Sequence, residues 1–154
     1  MLYKENPRWA DMVTAIEETG SILEYAKLKA SEGAGHGSCF MARRQTNGRG
    51  RLGRVWLSPE GGLYITIILR PEKLQKGLSL AIALWISEFL ESETGKQAEV
   101  IWPNDIYFEG KKICGILLEG AYDGDKGYIA AGIGINLNSE VSDEGRNPEG
   151  INPV

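Results

Sequence analysis

Gly48-Arg-Gly-Arg-Leu-Gly53 matches the Gly-x-Gly-x-x-Gly string of dinucleotide-binding domains, and its reading decides the fold class. The string has physical meaning only between a strand and a helix whose N-terminus holds a pyrophosphate. Here it runs into Trp56-Leu-Ser-Pro-Glu-Gly-Gly62, which cannot be that helix. A doubly wound parallel sheet is therefore set aside. What remains is a loop dense in cations: Arg43 to Arg54 holds five arginines, and no Asp or Glu occurs from Gly33 to Pro59. Glycines free backbone N–H groups to face a ligand, and arginine supplies forked donors that fit phosphate or carboxylate. A seat for a small anion and an ordinary solvated basic loop both fit that composition.

Outward from the loop, the chain alternates between strand and helix signals. Upstream, Val13-Thr-Ala-Ile-Glu17 reads as a strand, and Ser21-Ile-Leu-Glu24 has the capping-box pattern that opens a helix reaching about Ala30. Ser38 to Ala42 reads as a strand feeding directly into the loop. Downstream, Leu63-Tyr-Ile-Thr-Ile-Ile-Leu69 is a β-branched run ending at Arg70-Pro71, the mark of a buried strand. Leu78, Ile82, Trp85 or Ile86, and Phe89 recur at helical spacing, so Gly77 to Ser92 is predicted to be a core-packed helix. Glu99 to Trp102 with its continuation Ile106 to Phe108, then Lys112 to Glu119 and Tyr128 to Leu137, follow as strands. Their links Glu109-Gly-Lys111 and Tyr122-Asp-Gly-Asp-Lys-Gly127 suit an antiparallel meander. The expected fold is α+β, a mostly antiparallel mixed sheet with helices packed on one side. Residues 1–138 form one domain, and Ser139 to Val154 is expected to be a loosely ordered tail.

The bulk numbers narrow the function classes. At 154 residues, 42% hydrophobic and 25% charged, the chain describes one globular domain large enough for a core. Its formal net charge of −4 argues against general nucleic-acid or anionic-membrane binding, whose footprint is a basic face rather than one basic loop. Cys39 and Cys114 lie in apolar runs without metal-type spacing, and the N-terminus has no apolar signal segment, so a cytoplasmic protein is expected. His36 is the only histidine, which removes histidine triads and multi-histidine metal sites.

Three further motifs carry polar groups that chemistry can use. Trp102-Pro-Asn-Asp105 puts an amide and a carboxylate in a tight turn, and Lys112 opens the strand Ile113-Cys-Gly115-Ile-Leu-Leu118 seven residues later. Turn and lysine can therefore face one site, where Lys112 acts as a point cation on a carboxylate or phosphate. Lys111 is the solvated turn neighbour. Gly132-Ile-Gly-Ile-Asn136 ends a strand whose alternate glycines permit close approach. Asn136 suits a base or ribose contact, and an ordinary strand-end cap equally.

Taken in order, Gly48-Arg-Gly-Arg-Leu-Gly-Arg-Val-Trp56, Trp102-Pro-Asn-Asp105, Gly110-Lys-Lys-Ile-Cys-Gly-Ile-Leu117 and Gly132-Ile-Gly-Ile-Asn136 resemble the catalytic domain of biotin protein ligases, over roughly Val13 to Asn138. The resemblance implies an enzyme that joins biotin to ATP as biotinyl-5′-adenylate. It then passes biotin to a lysine of the biotin carboxyl carrier domain of a carboxylase, with Mg²⁺ accompanying the nucleotide. It implies that Ser21, Gln45 and the Gly48, Arg49, Gly50 and Arg51 backbone hold biotin, that Lys112 bridges its carboxylate and the α-phosphate, and that Gly115 leaves space beside the bicyclic ring. Arg49, Arg51 and Arg54 would screen the phosphates, with Trp56, Asn104 and Asn136 on the nucleotide side. Asp105 would orient, or deprotonate, the incoming lysine amine. Lys112, Arg49 and Asp105 are thus the expected catalytic set.

The chain departs from the family pattern at Ile22, where a threonine is usual, and at Ile101, where a lysine usually precedes Trp-Pro-Asn-Asp. The family's N-terminal DNA-binding domain and C-terminal barrel are expected to be absent, and a homodimer is expected. Alternatives are a non-catalytic biotin or biotinyl-adenylate binder, a lipoate or octanoyl ligase, and, last, nucleic-acid binding through the arginine loop.

Overall fold

The computed structural model describes residues 12–73, 76–121 and 127–138. The expected tail and most of the Tyr122 to Gly127 link lie outside the described residues. The elements are β1 (Val13–Thr19), α1 (Ile22–Ser31), β2 (Cys39–Gln45), a short 3-10 turn (Arg51–Gly53), β3 (Leu63–Leu69), α2 (Leu78–Thr94), β4 (Glu99–Ile101), β5 (Asp105–Phe108), β6 (Lys111–Ala121) and β7 (Tyr128–Ile135). The strands form one sheet in the order β1-β2-β3-β7-β6-β5-β4. Only β1 and β2 pair in parallel, joined through α1, and every other neighbour is antiparallel. This is the α+β, mostly antiparallel architecture expected.

The helices do not share a side of the sheet, which corrects one expectation. Tyr64 and Ile68 of β3 pack with Ile22, Leu23, Ala26 and Ala30 of α1, whereas Leu63, Ile65, Ile67 and Leu69 lie against the core that holds Ile82 and Ala83 of α2. Successive strand residues point to opposite faces, so α1 and α2 cover opposite faces. The reason is legible in β3 itself. An unbroken apolar run is buried on both faces and needs two covers.

Two boundaries also differ. Glu99–Ile101 and Asp105–Phe108 are not one interrupted strand but an antiparallel pair, Val100 opposite Ile106, turned by residues 102–104. In α2 the buried stripe is Ile82, Ala83, Ser87 and Leu90, while Trp85 and Phe89 are exposed. The β5–β6 hairpin has Phe108 opposite Lys111, and its two central residues, Glu109 and Gly110, both take positive φ. That is the turn geometry matching the twist of two antiparallel strands. The hairpin lays Asp105 opposite Gly115 and Tyr107 opposite Lys112, so three polar side chains of the site come from one ladder.

Arg70, just after β3, locks the far end of α1. Its guanidinium donates to the carbonyls of Ala30 at 2.8 Å, Ala34 at 2.9 and 3.1 Å, and Gly127 at 3.4 Å. These include carbonyls that a helix C-terminus leaves without intrahelical partners.

Candidate active site

On the α1 face the helix covers only part of the sheet. Beyond it, β7, β6 and β5 floor a cleft of about 450 Å³, walled by the start of α1, the arginine–glycine loop and the β4–β5 turn. Ser21, Gln45, Arg49, Gly50, Arg51, Arg54, Trp56, Asn104, Asp105, Lys112 and Gly115 all line it, so one cavity gathers eleven of the residues singled out in the sequence.

Lys112 and Asp105 form the charged centre. The Lys112 ammonium donates to Asp105 Oδ2 at 2.6 Å and lies 5.4 Å from the centroid of the Trp56 ring. The other Asp105 oxygen accepts from Asn104 Nδ2 at 3.0 Å. Asn104 is itself buried and tied to β6: its Nδ2 donates to the Ile116 carbonyl at 2.9 Å, and the Ile116 N–H donates to the Asn104 carbonyl at 2.9 Å. The Trp-Pro-Asn-Asp turn thus fixes the carboxylate that aims the lysine. Asp105 was expected to face an acceptor amine; here its partner is Lys112.

The loop is closed by its own backbone bonds. Gly50 N–H donates to the Arg54 carbonyl at 2.7 Å and Trp56 N–H to the Gly48 carbonyl at 2.9 Å, and isolated bridges pair Arg49 with Val55 and Gln45 with Ser58. The loop is therefore a small hairpin. Gly48 does not line the cleft. A Cβ built on it would stand 2.2 Å from the Trp56 carbonyl oxygen, so it is the crossing point of the hairpin's two arms. Arg51 Nη1 donates to Asn104 Oδ1 at 2.8 Å, which brings the loop tip onto the β4–β5 turn. Arg49 pairs with Glu24 of α1 and, at 3.2 Å, with Glu119 of β6, while Lys27 bonds Glu119 at 2.6 Å. Glu24, read in the sequence only as a capping-box residue, and Glu119 were not singled out as partners of Arg49, because only the fold brings α1, β6 and the loop together.

The start of α1 supplies the cleft's other end. Ser21 is the N-cap residue, but its side chain makes no cap bond, so the capping-box reading gave the helix start and not its chemistry. Gln45 Oε1 instead accepts from the Ile22 N–H at 2.7 Å, and Gln45 Nε2 donates to Ser58 Oγ at 2.7 Å. Ser21 Oγ is thereby left buried without a protein partner, as are Thr66 Oγ1, Tyr107 Oη and Trp56 Nε1. Buried hydroxyls are ordinarily bonded, so a cluster of unpartnered ones around a cleft marks where a polar ligand belongs. Thr66 and Tyr107 were not singled out in the sequence; on a strand, an inward threonine or tyrosine looks like any core residue.

Trp56 lies flat on the floor. A Cβ on Gly134 would stand 2.5 Å from its Nε1, and one on Gly115 2.9 Å from its Cζ3. The space above Gly115, expected to flank a bicyclic ring, holds the indole in this structure. Asn136 is not on the cleft wall: its Nδ2 donates to the Lys112 carbonyl at 3.4 Å and its N–H to Ile113, beneath the lysine. Burial, with the Asp105 charge second, raises the Tyr107 phenol above its ordinary pKa, so it stays a hydrogen-bond donor.

Fold and site define an α+β domain with a ligand-sized cleft on one sheet face, largely apolar and centred on a carboxylate-held lysine under a basic loop. The chain belongs to the biotin/lipoate A/B protein ligase family, whose model matches residues 18–136. It is 42% identical over 138 residues to the bifunctional ligase/repressor BirA of Bacillus subtilis, covering 86% of this chain and 41% of that protein. It is 36% identical over 116 residues to the biotin–[acetyl-CoA-carboxylase] ligase of Paracoccus denitrificans, covering 71% of this chain and 48% of the relative. The structure of biotin protein ligase from Aquifex aeolicus in complex with biotin and ATP superposes with a TM-score of 0.75 at 37% identity, over 92% of this chain and 58% of that one. The chain thus spans less than half the length of these two relatives.

Proposed function

We propose that this chain activates biotin with ATP to biotinyl-5′-adenylate, releasing pyrophosphate, and passes biotin to a lysine of a biotin carboxyl carrier domain. The observation that carries the reading is the Lys112–Asp105 pair, held at 2.6 Å on the wall of a cleft that also gathers Arg49, Arg51 and Arg54. Attack of a carboxylate on an α-phosphate brings two anions together. Catalysis then rests on positioning and cationic stabilisation, without an enzyme nucleophile. Lys112 supplies the cation where the carboxylate and phosphate meet, Asp105 orients it, and Asn104 holds Asp105. Ser21 and Thr66, with unpartnered hydroxyls, take the polar end of biotin, and Arg49 to Arg51 close over it. The carboxylate of Asp105, once Lys112 has turned to the phosphate, is free to accept from the incoming amine.

Among the described residues no three His, Cys, Asp or Glu side chains are grouped to hold a metal. In this reading Mg²⁺ would enter on the nucleotide's phosphates. A cytoplasmic location and a homodimer complete the reading; no helix among the described residues is long and apolar enough to cross a membrane.

The test is incubation with ATP, Mg²⁺ and biotin, followed by mass spectrometry for biotinyl-adenylate, with lipoate and octanoate in parallel. Adenylate from biotin alone is expected. Activation of lipoate in preference to biotin, or of neither acid, would refute the reading.

A further inference from the structure

Ser58 is buried and does not line the cleft, yet its hydroxyl begins a chain of hydrogen bonds that reaches the cleft wall. Its Oγ donates to the Trp56 carbonyl at 3.0 Å and accepts from Gln45 Nε2 at 2.7 Å, and the other end of that amide, Oε1, accepts from the Ile22 N–H at 2.7 Å. The polarity of each link is fixed. A carbonyl only accepts, so the Ser58 proton goes to Trp56 and the Ser58 oxygen is left to accept; a backbone N–H only donates, so Gln45 turns its oxygen to Ile22. The amide therefore fits one way round. The backbones agree with the side chains, since the Gln45 N–H donates to the Ser58 carbonyl at 3.0 Å and the two residues close the base of the arginine–glycine hairpin. Gly48 keeps the place clear: a Cβ there would stand 2.6 Å from Ser58 Oγ and 3.1 Å from Gln45 Nε2.

We infer that Ser58 is a positioning residue for biotin, acting through Gln45, whose amide it holds in the one orientation that serves both α1 and the ligand. The inference rests on the function proposed above and goes beyond it by assigning a residue that touches no ligand. Gln45 lines the cleft beside Ser21 and Ile22. After its two internal bonds the amide keeps one N–H and one oxygen lone pair, which suit a cyclic urea that carries both donors and an acceptor. Their order along the wall is set by Ser58. By gripping the first residue of α1, the same amide also steadies the segment that bears the Ser21 hydroxyl, buried without a protein partner. The nucleotide end draws little from this chain of bonds: Lys112 and Asp105 hold each other across β5 and β6, Arg51 is held by Asn104, and Trp56 keeps its own N–H bond to the Gly48 carbonyl.

Ser58→Ala and Ser58→Cys test it, the cysteine filling the same space with a weak acceptor. Affinities for biotin and, separately, for ATP are measured by calorimetry, in the parent chain and in a Gln45→Ala background. In the parent, either change is expected to raise the Kd for biotin on the order of tenfold and to leave the Kd for ATP within about twofold. In the Gln45→Ala background the same changes should move the Kd for biotin by less than about twofold, because the residue through which Ser58 acts is gone. An unchanged biotin Kd in Ser58→Ala would overturn the inference. So would a tenfold loss in both backgrounds, which is the behaviour of a residue that merely supports the hairpin, or equal losses for biotin and ATP. A parent chain that binds neither ligand would instead sink the proposed function, and this inference with it.

Discussion

Replacing Lys112 by alanine tests the centre of the site. In the unliganded protein its ammonium is held at 2.6 Å by Asp105, with the two side chains 18% and 21% exposed. A unit charge at about 4 Å from another, at an effective dielectric near 20, interacts by roughly 4 kcal/mol. That is the order of stabilisation one cation supplies where the carboxylate and α-phosphate converge. Removal of a single preorganised donor at a developing charge typically costs about 100- to 1,000-fold, or roughly 3–4 kcal/mol, which agrees. Lys112→Ala is therefore expected to slow adenylate formation by on the order of 100-fold or more. Stability should fall by only about 1–2 kcal/mol, because Asp105 keeps its Asn104 bond and partial solvation. Lys111 is the control: exposed, next in sequence, and opposite Phe108 on the β5–β6 hairpin. Its alanine variant should be nearly silent. The assay is biotin-dependent exchange of pyrophosphate into ATP, with denaturant unfolding alongside. Equal losses for Lys111→Ala and Lys112→Ala, or full activity of Lys112→Ala, would refute the reasoning.

The remaining expectations are cheaper to check. Arg70→Ala removes four hydrogen bonds, three to the Ala30 and Ala34 carbonyls at the end of α1 and one to Gly127 before β7, and should cost about 2–4 kcal/mol in urea unfolding; a loss within about 0.5 kcal/mol, roughly the effect of an ordinary surface change, would contradict the locking role. Tyr107→Phe deletes a buried hydroxyl that no protein group satisfies, so the empty protein should be as stable or slightly more stable, while the melting-temperature gain from biotin plus ATP shrinks. A clear drop in the empty protein's melting temperature would show that the hydroxyl is already bonded. Burial pushes the Cys114 thiol up to about 12, whereas in the unfolded chain it titrates near its ordinary value of 9.0. The folded state then holds the proton longer than the unfolded one. Stability from this group is fully present below about pH 9 and falls as pH rises toward 12. Unfolding free energies measured from pH 8 to 11 should decline, and a Cys114→Ala variant should decline less steeply.

Much of the architecture follows from local sequence. The β3 run Leu63 to Leu69 has the bounds expected, because β-branched density and the stop at Arg70-Pro71 are local signals. The Glu109-Gly110 hairpin is equally local, since its turn chemistry needs only two residues. The arginine–glycine loop, the Trp-Pro-Asn-Asp turn, Lys112 and Gly115 were legible as motifs. The fold brings them to one cleft, with Asn136 beneath it and Gly48 at the hairpin crossing rather than on its wall.

Other features depend on which residues meet across the sheet, and spacing along the chain does not encode that. The opposite placement of α1 and α2 follows from the parity of β3 side chains relative to each helix, fixed only when the register is set. Trp85 and Phe89 fit a helical stripe as well as Leu90 does; packing chose Leu90. The contact of Asp105 with Lys112, the clasp of Arg49 by Glu24 and Glu119, and the unpartnered hydroxyls of Ser21, Thr66 and Tyr107 each join groups distant in sequence. Sequence determined the residue types because charge, backbone freedom and apolar period are properties of short segments. Tertiary structure alone decided their partners, because hydrogen bonds and ion pairs act over a few ångströms and the chain reaches those distances only when folded.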